Sequence, residues 1–156
     1  MTGSEPVRLR RATEKDAVAL LEWRNDPVTR AMSLNRDPVP LAQHLAWYRA
    51  ALADPRRIIL VAEEGGVPVG MCRFDLDEDA GAEVSINLAP EQRGHGRGRA
   101  VLDAGLRALA AARPDVRSVI AVIRPENVAS VRLFTAAGFR LRGSGGGVVR
   151  YALDLA

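Results

Sequence analysis

The chain has 156 residues, 47% of them hydrophobic and 26% charged, the balance of an ordinary globular domain long enough to bury a core. A net charge of +3 does not amount to a nucleic-acid face: the arginines scatter from Arg8 to Arg150 among acidic runs such as Asp75-Leu-Asp-Glu-Asp79. Cys72 stands alone, no Cys/His cluster has metal-site spacing, and no apolar run exceeds strand length, so one cytoplasmic domain over 1–156 is expected, without metal or membrane partner.

Val7 to Arg11 alternates and reads as a first strand. Thr13, with Asp16 three residues later, has the pattern of a helix start, and the helix it opens is expected to run to about Asn25. Asp26-Pro27 restarts a short helix, because proline is tolerated in a first turn. Ser33 to Pro38 reads as loop. Pro40 to Leu52 forms a third helix, with Leu41, Leu45, Tyr48 and Leu52 on one stripe.

Strands come next. Ile58 to Glu63 and Val67 to Phe74 flank Glu64-Gly65-Gly66, a hairpin signal. Asp75 to Gly81 is a polar connection, and Ala82 to Leu88 a further strand. Gly96 to Ala112 carries the clearest helical periodicity, with Val101, Leu102, Gly105, Leu106 and Leu109 on one face. Ser118 to Ile123 is a strand and Asn127 to Ala137 a short helix ended by Gly138. Phe139 to Arg142 and Val148 to Leu153 are joined by a glycine-rich turn. The order β-α-α-α-β-β-β-α-β-α-β-β predicts a mixed α/β fold, an antiparallel meander followed by a crossover helix.

The stretch Pro90-Glu-Gln-Arg-Gly-His-Gly-Arg-Gly-Arg99 lies between a strand and a long helix. Backbone N–H groups at such a helix start point outward without partners, and the helix dipole favours an anion there. Glycines let a phosphate approach without obstruction by Cβ. The spacing lacks the Gly-Lys-Ser/Thr of a nucleoside triphosphatase and does not match G-x-G-x-x-G.

Arg93-x-x-Gly96-x-Gly98, preceded by Gln92 and a strand, resembles the acyl-CoA pyrophosphate loop of the GNAT superfamily of N-acyltransferases. Asn127-Val-Ala-Ser130-Val-Arg-Leu133-Phe134-x-x-x-Gly138-Phe139 resembles the second signature of that superfamily, one helix and one strand downstream. The resemblance covers the chain from about Val7 onward. It implies a twisted, mostly antiparallel sheet with splayed central strands and flanking helices, and acetyl-CoA as cofactor. Cofactor contacts are then expected from Leu88, Ala89, Arg93, Gly94, His95, Gly96, Arg97, Gly98, Arg99, Asn127, Ser130 and Phe134, with backbone amides doing most of the phosphate binding.

The implied reaction is acetyl transfer to a primary amine. It needs a base or a water path for the ammonium proton, and a backbone N–H for the oxyanion. The resemblance assigns the base to Glu83, the oxyanion contact to the backbone of Leu88 and Ala89 on a bulged and splayed strand, and a proton donor to Ser130 or solvent. Phe134 stands where relatives often have a tyrosine and cannot donate a proton. The N-terminal half carries Trp23, Arg24, Asn25, Arg30, His44 and Trp47 as candidate acceptor contacts. That arrangement is similar to the branch acting on nucleotide-linked amino sugars, and the same stretch is similar to the branch acting on ribosomal-protein N-termini. The expected partner is a small-molecule amine, not nucleic acid, with a homodimer left open. A CoA-binding protein without turnover is the other reading that Phe134 leaves standing.

Overall fold

A computed structural model describes residues 6–94 and 96–155. The chain runs through β1 (Arg8–Arg11), α1 (Ala17–Asn25), α2 (Pro27–Met32), α3 (Leu41–Ala53), β2 (Arg57–Glu64), β3 (Val67–Leu76) and β4 (Gly81–Leu88). It continues through α4 (Arg97–Ala112), β5 (Ser118–Ile123), α5 (Val128–Ala136), β6 (Arg140–Gly145) and β7 (Val148–Asp154). The seven strands form one sheet in the order β1-β2-β3-β4-β5-β7-β6. Every neighbouring pair is antiparallel except β4 and β5, which the crossover through α4 makes parallel.

The first helix starts later than the sequence pattern predicts. Thr13 and Asp16 form a reciprocal capping box, but around a 3-10 turn at Glu14–Asp16, and α1 begins only at Ala17. Asp16 has a second task that sequence spacing does not reveal. Its carboxylate takes two bonds of 2.8 Å from the Arg10 guanidinium, which ties this turn to β1. That pairing holds the Asp16 carboxyl below the usual range. The polar connection Asp75–Gly81 is also shorter than expected, because β3 continues to Leu76. Asp77 closes the turn, accepting at Oδ1 from the amides of Asp79 and Gly81.

The sheet buries both faces. Phe74, Val101, Leu102, Leu109 and Val119 are fully buried between the strands and α4, and Phe134 of α5 joins them. Leu20, Trp23, Tyr48, Ile59, Val61 and Met71 pack α1 and α3 on the other face. Each large side chain so buried contributes about 1.5–3 kcal/mol. The alternation in β3 divides the two cores: Met71 faces α1 and α3, whereas Cys72 and Phe74 face α4.

Helix α4 lies close on β3 because Gly105 has no side chain. A Cβ there would stand 2.7 Å from the Cys72 Sγ, inside van der Waals contact. Burial pushes the Cys72 thiol up to about 12, so its contribution is packing and not chemistry. Gly105→Ala should therefore destabilise the fold by about 1–3 kcal/mol through overpacking, although alanine gains roughly 0.8–1.0 kcal/mol in helix propensity. In a Cys72→Ala background the same substitution should cost clearly less, as read from urea denaturation midpoints in a double-mutant cycle. Equal costs in the two backgrounds would place the strain elsewhere.

Candidate functional site

The parallel pairing of β4 with β5 spans only three residue pairs, Gly81↔Ser118, Ala82↔Val119 and Glu83↔Ile120. Beyond Glu83 each strand keeps its outer partner: β4 stays on β3 as far as Gly70↔Leu88, and β5 stays on β7 as far as Ile123↔Val149. The sheet therefore splits between them, with Glu83 at the vertex. The register of β4 on β3 is unbroken, so the bulge expected in this strand is absent. Asp77 N–H donates to the Gly81 carbonyl and Ala89 N–H to the Val69 carbonyl, both at 2.9 Å. These bonds set the phase of the strand: odd-numbered residues bond to β3, and the N–H groups of Ile86 and Leu88 point into the split. The Ala89 N–H is therefore not free for the expected oxyanion contact, and the Ile86 N–H, which the sequence does not single out, faces the split beside that of Leu88.

At the open end of the split stand the two loops named by the sequence motifs. After a 3-10 turn at Pro90–Gln92, Gly94 and Gly96 adopt φ of 77° and 74°, left-handed values that favour glycine. Gly96 stands at the N-cap of α4 and offers no side chain, so no side chain among the described residues caps the first-turn amides of this helix. Gly98 faces the floor of the site, where a Cβ would meet the Leu133 side chain at 3.4 Å. His95 lies outside the described residues. From the β5 side, Asn127 caps α5, its Oδ1 accepting from the Ser130 amide at 3.2 Å. Ser130 stands half-buried on the first turn of that helix.

The three loop arginines are all occupied by the protein. Arg93 donates through Nη2 to the Asp26 carboxylate and, at 2.7 Å, to the Thr29 hydroxyl, which draws the Asp26 carboxyl below its ordinary range. Arg97 pairs with Glu64, with Nε 2.7 Å from Oε2 and Nη2 donating to Oε1 at 2.9 Å. Arg99 bonds to both carboxylate oxygens of Asp103 and to the Ala136 carbonyl. An anion at this loop would thus be held by backbone amides and the helix dipole. Phe134 is packed edge-on at 5.0 Å against Phe139 and is largely buried in the core.

A cavity of about 250 Å³ opens on the α1–α3 face beside β4. Its apolar wall includes Leu20, Val39, Ile59 and Met71, and its polar groups are Arg24, Gln43, His44, Arg73 and Asn87. Asn87 lies between Ile86 and Leu88, so the cavity adjoins the two amides that face the split. Arg124 bridges the region from the β5 side, donating to the carbonyls of Ser33 and Leu34.

The model of the acetyltransferase (GNAT) domain matches residues 7–140. The chain belongs to the GNAT acetyltransferase family. Solved relatives of this acetyltransferase share its fold. A domain from Methanocaldococcus jannaschii is 21% identical with a TM-score of 0.84, covering 98% of this chain and 100% of its own. Spermidine N-acetyltransferase from Vibrio cholerae, solved with CoA and spermine, is 18% identical with a TM-score of 0.84 over 95% of each chain. The putative acetyltransferase yncA from Salmonella typhimurium, solved with acetyl-CoA, is 28% identical with a TM-score of 0.77, covering 97% of this chain and 95% of its own. A comparison with curated proteins finds no match.

The acceptor residues expected in the acetyltransferase separate into two groups. Arg24, His44 and Trp47 line the cavity. Trp23 does not; it is buried in the core beneath α1. Asn25 uses its amide on the Val39 backbone in both directions, at 2.9 and 2.8 Å, and Arg30 donates to the Asn25 carbonyl. These three hold the wall together. Gln43, Arg73 and Asn87 went unnoticed in the sequence because they join the cavity only through the packing of α3 on the sheet. No helix among the described residues is long and apolar enough to cross a membrane.

His44 is a structural base and not a free one. It is buried, stacks on Tyr48 at 5.5 Å and bonds through Nε2 to the Ala17 carbonyl at 2.8 Å, so Nε2 carries the proton. Burial lowers its pKa below the ordinary 6.5. The unfolded chain therefore takes up a proton first as pH falls, and the stability His44 provides is present above about 6.5 and lost below it. Urea midpoints should decline from pH 7 toward pH 5, and His44→Gln should flatten that decline. Asp16, whose pKa is lowered from 3.8 by Arg10, acts in a separate, more acid window.

Proposed function

We propose that this GNAT protein is an acetyl-CoA-dependent N-acetyltransferase that acts on the primary amine of a small molecule. The observation that supports it most is the continuity of the split with the uncapped start of α4. Unpaired amides on β4 lead into a glycine cradle and a helix N-terminus, in one line. Acetyl-CoA would supply the activated acyl group. The residues present suit such a ligand: the first-turn amides of α4, with Gly94, Gly96 and Gly98 clearing the approach, for its phosphates, and the Asn127–Ser130 turn at the opposite lip. In this reading the Ile86 and Leu88 amides donate to a carbonyl oxygen lying in the split and stabilise charge that develops on it.

Proton removal falls to Glu83. It is exposed, stands at the vertex where β4 and β5 part, and shares a strand face with Asn87, which lines the cavity. An ammonium entering from the cavity would give up its proton to this carboxylate, directly or through water. Ser130 or solvent returns a proton to the leaving group, because Phe134 is apolar and buried. Solved relatives carry spermine or, in AAC(6')-Ib, ribostamycin beside CoA, which supports a small-molecule amine as the acceptor class. The nucleotide-linked amino sugar is less well served. The cavity of about 250 Å³ falls below the roughly 300–1,000 Å³ of ordinary small-molecule sites, and half of the expected contacts are used inside the fold.

Two measurements test this reading. Gly98→Asp keeps a helical residue and adds an acid that the helix dipole favours, but it sets that carboxylate against the anion site. Its melting temperature without ligand should fall somewhat, since the new Cβ meets Leu133 at 3.4 Å. In calorimetry at a temperature where the variant is folded, its affinity for acetyl-CoA should fall at least about tenfold, roughly 1.4 kcal/mol. Unchanged affinity would move the phosphates away from α4. Glu83→Gln should lower kcat by about 10²–10⁴-fold with little change in KM for acetyl-CoA. A loss smaller than about tenfold would leave water, and not Glu83, as the principal proton acceptor.

A further inference from the structure

We propose that the cavity between α1, α3 and the sheet receives an anionic group of the acceptor, a carboxylate borne beside its amine, and that Arg24 is the residue that selects for it. This rests on the acyl-transfer reading above and adds the chemistry of the acceptor. The Arg24 guanidinium uses Nη2 on the Asn35 carbonyl at 2.7 Å, while Nη1 is buried and has no hydrogen-bond partner among the described residues. A buried, charged N–H without an acceptor is costly, and a ligand oxygen removes that cost. No acidic side chain lines the cavity to do so.

The surroundings add to the demand for an anion. Arg73, the other cation of the lining, is paired with Asp75 at 3.2 Å and lies 5.1 Å over the Trp47 ring, so it is already committed. Arg24 has no carboxylate partner among the described residues. Burial and then repulsion from Arg30 and Arg73 lower its pKa, a sign that positive charge is concentrated here. A polycationic acceptor such as a polyamine would bring further positive charge into this wall. The rest of the lining sets apolar Leu20, Val39, Ile59 and Met71 beside the neutral polar groups of Gln43, His44 and Asn87, and the volume is small. Size, apolar wall and one unsatisfied guanidinium describe a compact amino acid whose side chain fills the cavity. Its amine would then reach past Asn87 toward the Ile86 and Leu88 amides.

The test compares four acceptors in the presence of acetyl-CoA: leucine, leucinamide, the aminophosphonate analogue of leucine, and spermidine. The expected result is a kcat/KM for leucine or its phosphonate about 10- to 100-fold above that for leucinamide, the range of one charge-assisted contact. The ratio between the two anions tells whether a carboxylate or a phosphate source fits better. Arg24→Gln should erase that preference by raising KM for the anionic acceptors, and Arg24→Lys should restore part of it, with the Kd for acetyl-CoA kept in both. Leucinamide or spermidine equalling the anionic amines, or an Arg24→Gln variant that keeps the preference, would overturn the proposal. Calorimetry of the protein with leucine and with the phosphonate, without acetyl-CoA, separates the two readings. Binding that Arg24→Gln removes, without turnover of any amine, would support the cavity assignment and sink acyl transfer. No binding of either anion would sink the assignment itself.

Discussion

Three residue pairs hold the two halves of this sheet together, and the rest of the molecule is arranged around where that pairing stops. After Glu83↔Ile120 the strands part, yet neither half frays, because β4 remains bonded to β3 and β5 to β7. The edges this leaves would be a liability on an open sheet, since unpaired N–H and C=O groups invite a strand from elsewhere. Here the glycine-rich stretch follows one parted strand and the Asn127 turn the other. The starts of α4 and α5 stand at the same end of the split, because the two strands that lead to them are parallel. One topological fact, the parallel crossover, thus sets the amides, the glycine cradle and the Asn127 turn around a common gap.

Charge is distributed in two different ways on either side of that gap. At the glycine-rich loop the arginines are neutralised by Asp26, Glu64 and Asp103, and what remains free to bind an anion among the described residues is backbone. Backbone donors are fixed in position and need no ordering when a ligand arrives, which suits a cofactor that every turnover shares. In the cavity the reverse holds. Backbone groups there are engaged in the sheet, and the unsatisfied donor is the end of an arginine side chain. A guanidinium reads planar, bidentate oxygen pairs, so it discriminates among acceptors in a way that a helix start does not. Arg24 and Arg73 make the cavity wall cationic, so it repels a positively charged group and favours an oxygen anion.

The fold was legible because its signals are local. Strand alternation, the Thr13 cap, the hairpin at Gly65-Gly66 and the periodicity of Gly96 to Ala112 each depend on neighbours within a few residues. The two signature motifs likewise predicted the family, since each is one loop and the start of one helix. What sequence could not show is where long side chains end. Arg93 reads as a phosphate ligand until α2 brings Asp26 and Thr29 to it from 67 and 64 residues away. Trp23 and Asn25 look like acceptor contacts in sequence. A single residue step turns the helix by about 100°, which puts Trp23 on the core face and Arg24 on the cavity face, and Asn25 is taken up by the Val39 backbone. Ile86 was missed for another reason: its role lies in its amide, and the direction of an amide is set by strand register and not by residue type.

Helix α2 shows how far polar ties can substitute for burial. It has six residues and buries none of them, so the hydrophobic effect gives it little support. Asp26 caps its first turn through the amides of Val28 and Thr29, and Arg93 holds that same carboxylate from the cofactor loop. Arg30 returns to the Asn25 carbonyl, and beyond the helix Arg24 and Arg124 grip the carbonyls of Asn35, Ser33 and Leu34. An element held by exposed or half-buried hydrogen bonds belongs to the low end of local stability. It also lies between the two regions, since Arg93 belongs to the glycine-rich stretch and Arg24 lines the cavity. The part of the wall that the sheet does not hold is therefore the part through which the two ligands' surroundings are connected.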